Sequence, residues 1–233
     1  MRAGRRAVLA AVVAGLWAGC AVGPGAGPSV DAPGAVEVEA GLREALQLGV
    51  ERTVVRTARR GGFAGDPQLH IQLPAELRAP AEALREAGMG WAADDLEASL
   101  NRSAELTAAG AGPLLADAVA ALPLEEPSAL LRAPPGTVTE RLRDASGSAL
   151  REELRPVAAE AMVRSEVEQR YLDLSARLVT LSIPEDGRVD LDDYLLDQTL
   201  DGLFAVLAQE ETRIREQPAA RTTERLQRVF GAR

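Results

Sequence analysis

Six polar residues near the middle of the chain form its densest group of side chains capable of acid–base or binding chemistry. They are Asp94, Asp95, Glu97, Asn101, Arg102 and Glu105. In a helix, Asp94, Asn101 and Glu105 would lie close to one face. One interpretation is a solvated polar stripe. The other is a partly buried network with the tail residues Glu210, Arg215 and Arg221, because a buried arginine without a carboxylate partner is costly.

A second set of acids, Asp193, Asp197 and Asp201, recurs at a spacing of four. Like charges at that spacing repel slightly in a helix, so we expect them to face solvent or to be matched by arginines. Two carboxylates could also hydrolyse glycans. That reaction class would depend on Glu97 or Glu105, but few aromatic rings are present to stack sugars, and we expect no turnover.

Metal and nucleophilic chemistry lack their usual residues. His70 is the only histidine and Cys20 the only cysteine, so neither a catalytic triad nor a zinc cluster can be assembled. Around Gly187 the chain resembles a calcium loop, but aligning that glycine puts Ser182 and Pro184 at positions that need ligands. The sequence therefore predicts no catalytic set, no metal site and no cofactor.

The first 20 residues have the pattern of a lipoprotein leader. Arg2, Arg5 and Arg6 precede an apolar run at residues 7–17 that is too short to span a bilayer, and small residues then lead to Cys20. We expect cleavage before Cys20 and attachment of a lipid to it; secretion with a cut elsewhere is the alternative. Since no aspartate follows the cysteine, the predicted location is the periplasmic side of the outer membrane.

The overall charge narrows the choice of partners. The formal charge is −9, and removal of the three leader arginines takes it to −12. An acidic surface repels phosphate backbones and anionic headgroups, which argues against nucleic acid and against electrostatic adhesion to membranes. Every basic side chain is arginine. This reflects either codon usage or a need for guanidinium groups that pair with two acceptors at once.

Composition and periodicity indicate where these side chains are positioned. Residues 1–19 are the predicted signal peptide, 20–38 the lipidated cysteine with a Gly/Pro-rich flexible tether, and 39–233 a single domain. Aromatic residues make up 3% of the chain, so the core must consist mainly of leucine, alanine and valine. This composition predicts an all-α, single-domain helical bundle, with the apolar C-terminal helix at its centre.

Turn and capping signals divide the domain. The first helix should run from residue 39 to the glycines at 61 and 62, and an extended link should cover residues 69–74. Thr137 and Glu140 have the spacing of a capping box, Pro156 should kink or divide the helix around it, and Asp190 should cap the central helix. The remaining predicted helices are 75–87, 91–109, 113–122, 124–132, 148–180 and 222–230.

Four segments resemble the bacterial domain-of-unknown-function family 4197. These segments are LREALQLGVERTV, LHIQLPAEL, AGMGWAADDLEASLNRSAE and DGLFAVLAQEETRIREQPAARTTERLQRVFG. The similarity extends in order over residues 41–231. It implies an exported, helical, often lipid-anchored protein, and it implies no activity.

These observations lead to two functional hypotheses. The first is a non-enzymatic envelope module that is anchored to the membrane through Cys20 and binds a protein partner or helps organise the envelope. The alternative is a periplasmic binder or carrier of an apolar, lipid-like ligand, because leucine- and alanine-rich helices can separate to form a dry pocket.

Overall fold

The computed structural model describes residues 33–182 and 189–231. Within them the chain forms eight α-helices and one 3-10 turn, with no strand, which confirms the predicted all-α single domain. The helices are α1 Ala35–Thr57, α2 Ala75–Glu86, α3 Trp91–Ala121, α4 Pro127–Arg132, α5 Thr137–Arg164, α6 Val167–Thr180, α7 Leu191–Glu216 and α8 Glu224–Gly231; the 3-10 turn is Pro218–Ala220.

Two long helices form the centre of the bundle. α7 packs against α1, α3, α5 and α8, as its apolar sequence predicted, but α3 is equally central and packs against α1, α2, α5, α6 and α7. The buried face of α3 is rich in small residues, including Ala93, Ala104, Ala108 and Ala111. Small side chains let neighbouring helix backbones approach closely, and this explains why α3 can hold five neighbours.

Prolines divide the helices less than the sequence predicted. The separate helices expected at 91–109 and 113–122 form one helix that continues through Pro113, and α5 likewise continues through Pro156. The helix that contains Pro156 ends instead at Arg164, just before Glu166, which adopts a left-handed backbone conformation with φ 58°. A proline costs a helix about 3 kcal/mol, and the extensive packing of α3 and α5 against each other offsets that cost.

The start of α5 is capped from another helix. Gly136, with φ 89°, is the N-cap residue and no side chain of α5 provides the cap, so the predicted capping box at Thr137 is wrong. The Glu211 carboxylate of α7 accepts the Thr139 N–H (2.8 Å) and the Thr139 hydroxyl (2.7 Å) instead. The cap predicted for α7 is confirmed: Asp190 Oδ1 accepts the Asp193 N–H at 3.0 Å.

Some predicted segments end elsewhere or lie outside the description. α1 begins at Ala35, before the predicted start at residue 39, and α4 begins at Pro127 rather than 124. The predicted leader, Cys20, the predicted tether up to residue 32 and most of the turn predicted at 182–187 lie outside the described residues. Of the helices that are described, none combines the length and apolarity needed to cross a bilayer.

Candidate functional site

The polar cluster of α3 holds the chain segment that connects α1 to α2. Asn101 is completely buried; its Oδ1 accepts the Ile71 N–H (2.9 Å), and its Nδ2 donates to the Ile71 carbonyl (2.7 Å). The amide thus bonds to Ile71 as a neighbouring strand would. Tyr194 of α7 adds another hydrogen bond, from its hydroxyl to the Gln72 carbonyl (2.8 Å). Burial raises the pKa of Tyr194.

The two inner carboxylates of the cluster bind the same connecting segment. Glu97 accepts the Leu73 N–H (3.2 Å) and lies 2.8 Å from Nε2 of His70, whose Nδ1 is 3.2 Å from a backbone carbonyl. Glu105 is buried and accepts the Gly61 N–H (2.8 Å) and a bond from Arg102 (2.9 Å). His70, Glu97 and Glu105 therefore have structural roles.

The remaining members of the cluster face solvent. Asp94 and Asp95 are exposed and pair with Arg85 of α2 (2.8 Å) and Arg170 of α6 (3.4 Å). The side chain of Arg102 is 44% exposed. The cluster is therefore partly buried and partly solvated: its inner half holds the connecting segment, and its outer half faces solvent as the first interpretation predicted.

The arginines of the tail form a separate network. Arg215 has a fully buried side chain and donates to Glu211 (2.8 Å) and to the carbonyls of Leu130 and Leu131 (both 3.1 Å). Arg221 donates to the carbonyls of Ile214 (3.0 Å) and Arg215 (2.8 Å).

The predicted network between the α3 cluster and the tail is therefore wrong. Glu210 also bonds elsewhere, with Arg52 and Arg213, both at 3.5 Å. Glu211, which the sequence analysis missed, is the partner of Arg215; its position four residues before Arg215 was the available signal.

Arginines of α5 match the acidic stripe of α7. Arg155 and Arg151 lie 2.7 and 3.0 Å from Asp193, Arg151 also bonds to Asp197 (2.7 Å), and Arg143 pairs with Asp201. The helices are antiparallel, so a spacing near four on each gives a ladder of ion pairs. Hydrogen bonds from Arg155 and Arg151 lower the pKa of Asp193. Both predicted properties, solvent exposure and pairing with arginine, are confirmed.

A surface hollow lies beside α6. It has a volume of about 1020 Å³, it is open to solvent, and we call it the α5–α6 groove. Two of its apolar side chains are unusually exposed, Val163 at 79% and Leu172 at 54%. The apolar residues of the lining are Ala159, Met162, Val163, Val167, Tyr171, Leu172, Val189 and Leu191.

The described polar lining of the α5–α6 groove is acidic. Among the described residues it consists of Gln169 and four carboxylates, Glu166, Glu168, Asp190 and Asp192, with no basic residue. Arg170 pairs with Glu166 at 3.1 Å, but no arginine of the described chain forms an ion pair with the other three carboxylates. The groove thus combines an apolar floor with an acidic rim.

The smaller hollows have a different chemistry. Two open clefts of about 590 and 500 Å³ share Arg56, Glu210 and Arg213, and a third of about 290 Å³ contains Arg78 and Arg85. Each combines acidic and basic side chains, several of which are paired within the protein. The described residues contain no group of three or more His, Cys, Asp or Glu side chains that could hold a metal ion.

Comparison with known proteins gives a family match. Residues 33–231 match the family described as protein of unknown function (DUF4197). The searches of curated proteins and of solved structures each found no match.

Proposed function

We propose that this chain, which belongs to the DUF4197 family, is a lipid-anchored envelope protein whose helical domain is a non-enzymatic interaction module. The observation that carries the interaction role is the α5–α6 groove, where apolar side chains remain exposed next to a well-packed core. Exposed apolar patches on otherwise polar proteins mark binding surfaces.

The polar clusters support a structural rather than a chemical role for the candidate residues. Asn101, Glu105 and Arg215 are buried, and their hydrogen bonds run to backbone groups or to side chains of their own helix. A buried group whose hydrogen bonds are already satisfied stabilises the fold. The interaction module therefore has its binding surface elsewhere, on the outside of α5 and α6.

The anchor is proposed from the leader sequence. Cys20 would carry the lipid, and the domain would stay on the periplasmic face of the outer membrane, at the end of a short tether. Labelled palmitate should appear on the wild-type protein and not on Cys20→Ser, and the variant should move from the membrane to the soluble fraction. Equal labelling of both proteins, or none of either, would contradict the anchor.

The interaction role is tested in native membranes by crosslinking and affinity capture. A partner should be recovered reproducibly with the wild-type protein and lost with Leu172→Ser, which changes the groove. Val179→Ser is the matched control, since Val179 is 76% exposed on the same helix and does not line the groove. Recovery of the protein alone, or equal loss with both variants, counts against the proposal.

A carrier of an apolar ligand is the second candidate, and the same apolar lining favours it. Ligand pockets have volumes of about 300–1,000 Å³ and bury most of the ligand surface. The α5–α6 groove reaches that volume but is open to solvent, so it fits a chain segment better than a lipid. Native mass spectrometry should find the purified protein without bound lipid; stoichiometric lipid lost in Leu172→Ser would favour the carrier.

A further inference from the structure

We propose that the α5–α6 groove binds a basic amphipathic helix of a partner protein. This inference rests on the proposed interaction role and specifies the chemistry of the partner. An amphipathic helix places its apolar face in a hydrophobic groove, and its flanking charges pair with the rim. A floor that includes Val163, Leu172 and Leu191, below a rim whose described charged residues are all carboxylates, is complementary to leucine together with arginine or lysine.

The acids of the rim are not explained by ion pairs within the described chain. Glu168 and Asp192 stand in the first turns of α6 and α7, where a carboxylate interacts favourably with the helix dipole. This local benefit accounts for their presence at helix starts. It does not neutralise their charge, and the two helix starts bring both acids to one opening.

At the joint between α5 and α6, two apolar side chains of the floor are exposed. α5 ends at Arg164, Glu166 has a left-handed conformation, and α6 begins at Val167. Val167 is buried at this joint, while Val163 and Leu172 on either side point away from the core. An interface with an exposed apolar centre and a charged rim matches the usual anatomy of protein–protein contacts.

The rim also distinguishes this hollow from the others. Each of the three smaller clefts contains at least one arginine, and all of these arginines except Arg59 bond to carboxylates or carbonyls of the protein. In the α5–α6 groove, the carboxylates of Glu168 and Asp192 have no such partner among the described residues. Unlike the three smaller clefts, this groove has no arginine among its described lining residues, which favours a partner with basic side chains.

The test uses the chain from Cys20 onward, expressed without lipid, and synthetic peptides of about 15 residues, long enough for a helix. One peptide is an amphipathic helix of leucine, alanine and arginine. The second has glutamate in place of each arginine, and the third has the first peptide's composition in a scrambled order. Fluorescence anisotropy at low and high salt measures the dissociation constants.

We expect the basic amphipathic peptide to bind more tightly than the other two. Val163→Ser and Leu172→Ser should each weaken binding about fivefold or more, because they remove apolar contacts from the centre of the interface. Glu168→Gln with Asp192→Asn should weaken it mainly at low salt and reduce its salt dependence. Val179→Ser and Asp117→Asn, both exposed and outside the groove, should bind as the wild type does.

Several outcomes would overturn the inference. These are an absence of binding, equal binding of the acidic or scrambled peptide, or equal effects of groove and control variants. Sedimentation provides a further test: a dimer that Leu172→Ser dissociates would show that a second copy occupies the groove. The membrane crosslinking experiment does not depend on basic peptides. If the peptides fail to bind but crosslinking still captures a partner, only the inferred basic, helical nature of the partner is rejected, and the proposed interaction role stands.

Discussion

Arg215 and Glu211 form a buried ion pair that connects α7 to α4 and α5. The Arg215 side chain is fully buried, and it joins Glu211, the end of α4 and, through Glu211, the start of α5. Replacing Arg215 with methionine should lower the free energy of unfolding by about 3–5 kcal/mol, because it leaves the Glu211 carboxylate buried without its cation. Urea unfolding followed by circular dichroism measures the loss.

A surface arginine provides the matched control. Arg85 pairs with Glu82 and Asp94 at 2.8 Å, but its side chain is 37% exposed. Arg85→Met should therefore cost less than about 1 kcal/mol. Similar losses at Arg85 and Arg215 would show that burial does not set the value of the Arg215 pair. Arg215→Lys should recover only part of the loss, since one ammonium cannot reach all of these acceptors in the same plane.

Asn101 makes a second residue-scale prediction. Asn101→Ala would leave the N–H and C=O of Ile71 buried without partners, at a cost of about 1–3 kcal/mol for each group. Hydrogen exchange should become faster at the Ile71 amide and along residues 69–74. Gln68→Ala, which removes an exposed contact to Gln209, should leave the exchange there unchanged. Unaltered exchange in Asn101→Ala would disprove the role of Asn101.

The sequence indicated that a residue needs a bonding partner more reliably than it indicated which residue that partner is. The sequence indicated that buried arginines need acceptors, but Arg215 and Arg43 bond to carbonyls near the ends of α4 and α3, which lie far from them in the chain. No local pattern encodes such distant backbone acceptors. The guanidinium groups serve carbonyls as well as carboxylates, so the all-arginine composition has a structural use beyond codon preference.

At the scale of helix pairs, the ladder between α5 and α7 makes stability depend on pH. Its arginines hold the pKa of Asp193 below the usual value of 3.8. A carboxylate with a lowered pKa in the folded state stabilises that state above 3.8, and the contribution disappears as the pH falls through the folded pKa. Asp193→Asn should therefore unfold at lower urea than the wild type at pH 7, and the difference should vanish well below pH 3.8.

The control for the ladder is a carboxylate outside it. Glu153 is exposed on α5 and forms no ion pair within the described chain, so Glu153→Gln should change the urea midpoint little at any pH. High salt should also reduce the effect of Asp193→Asn, because the pairs face solvent. A difference that persists undiminished in strong acid would contradict the ion-pair explanation.

Close packing around the helices depends on glycines at the points of contact. A Cβ at Gly202 of α7 would lie 2.8 Å from the ring of Phe63, which is fully buried and cannot move aside. Gly202→Ala should destabilise the domain by about 1–3 kcal/mol through overpacking. Gly112→Ala is the matched change on α3, where the nearest atom, on Val54, is 3.5 Å away. In the same urea experiment, the free energy of unfolding of that variant should rise by up to about 1 kcal/mol, because alanine has a higher helix propensity than glycine.

Helix ends could be predicted where a local signal sets them. They could not be predicted where packing against other helices determines whether a helix continues. Asp190 caps α7 by a bond within its own turn, and the sequence identified it. Pro113 should have divided α3, yet contacts along the whole helix outweigh one missing hydrogen bond. The α5–α6 groove was not predicted, because periodicity indicates which helix face is apolar but not whether a neighbouring helix covers that face.

For the molecule as a whole, one continuous core should give one unfolding transition. The buried apolar cluster includes residues from all eight helices, from Val38 of α1 to Phe230 of α8. Trp91, at the start of α3 beside Arg177, is the only tryptophan after Cys20 and reports on one end of the bundle. Its fluorescence and far-ultraviolet circular dichroism should therefore show the same urea midpoint.

Removing α8 provides a further test of this cooperativity. Val229 of α8 contacts Gly41 of α1 so closely that a Cβ there would lie 2.8 Å from it, and Phe230 lies beneath the Arg215 guanidinium. Deletion of residues 224–233 should lower both midpoints by the same amount, because buried area lost at one end weakens the single core that Trp91 shares. If the fluorescence midpoint stayed unchanged while the dichroism midpoint fell, the α3 end would be an independently folding unit.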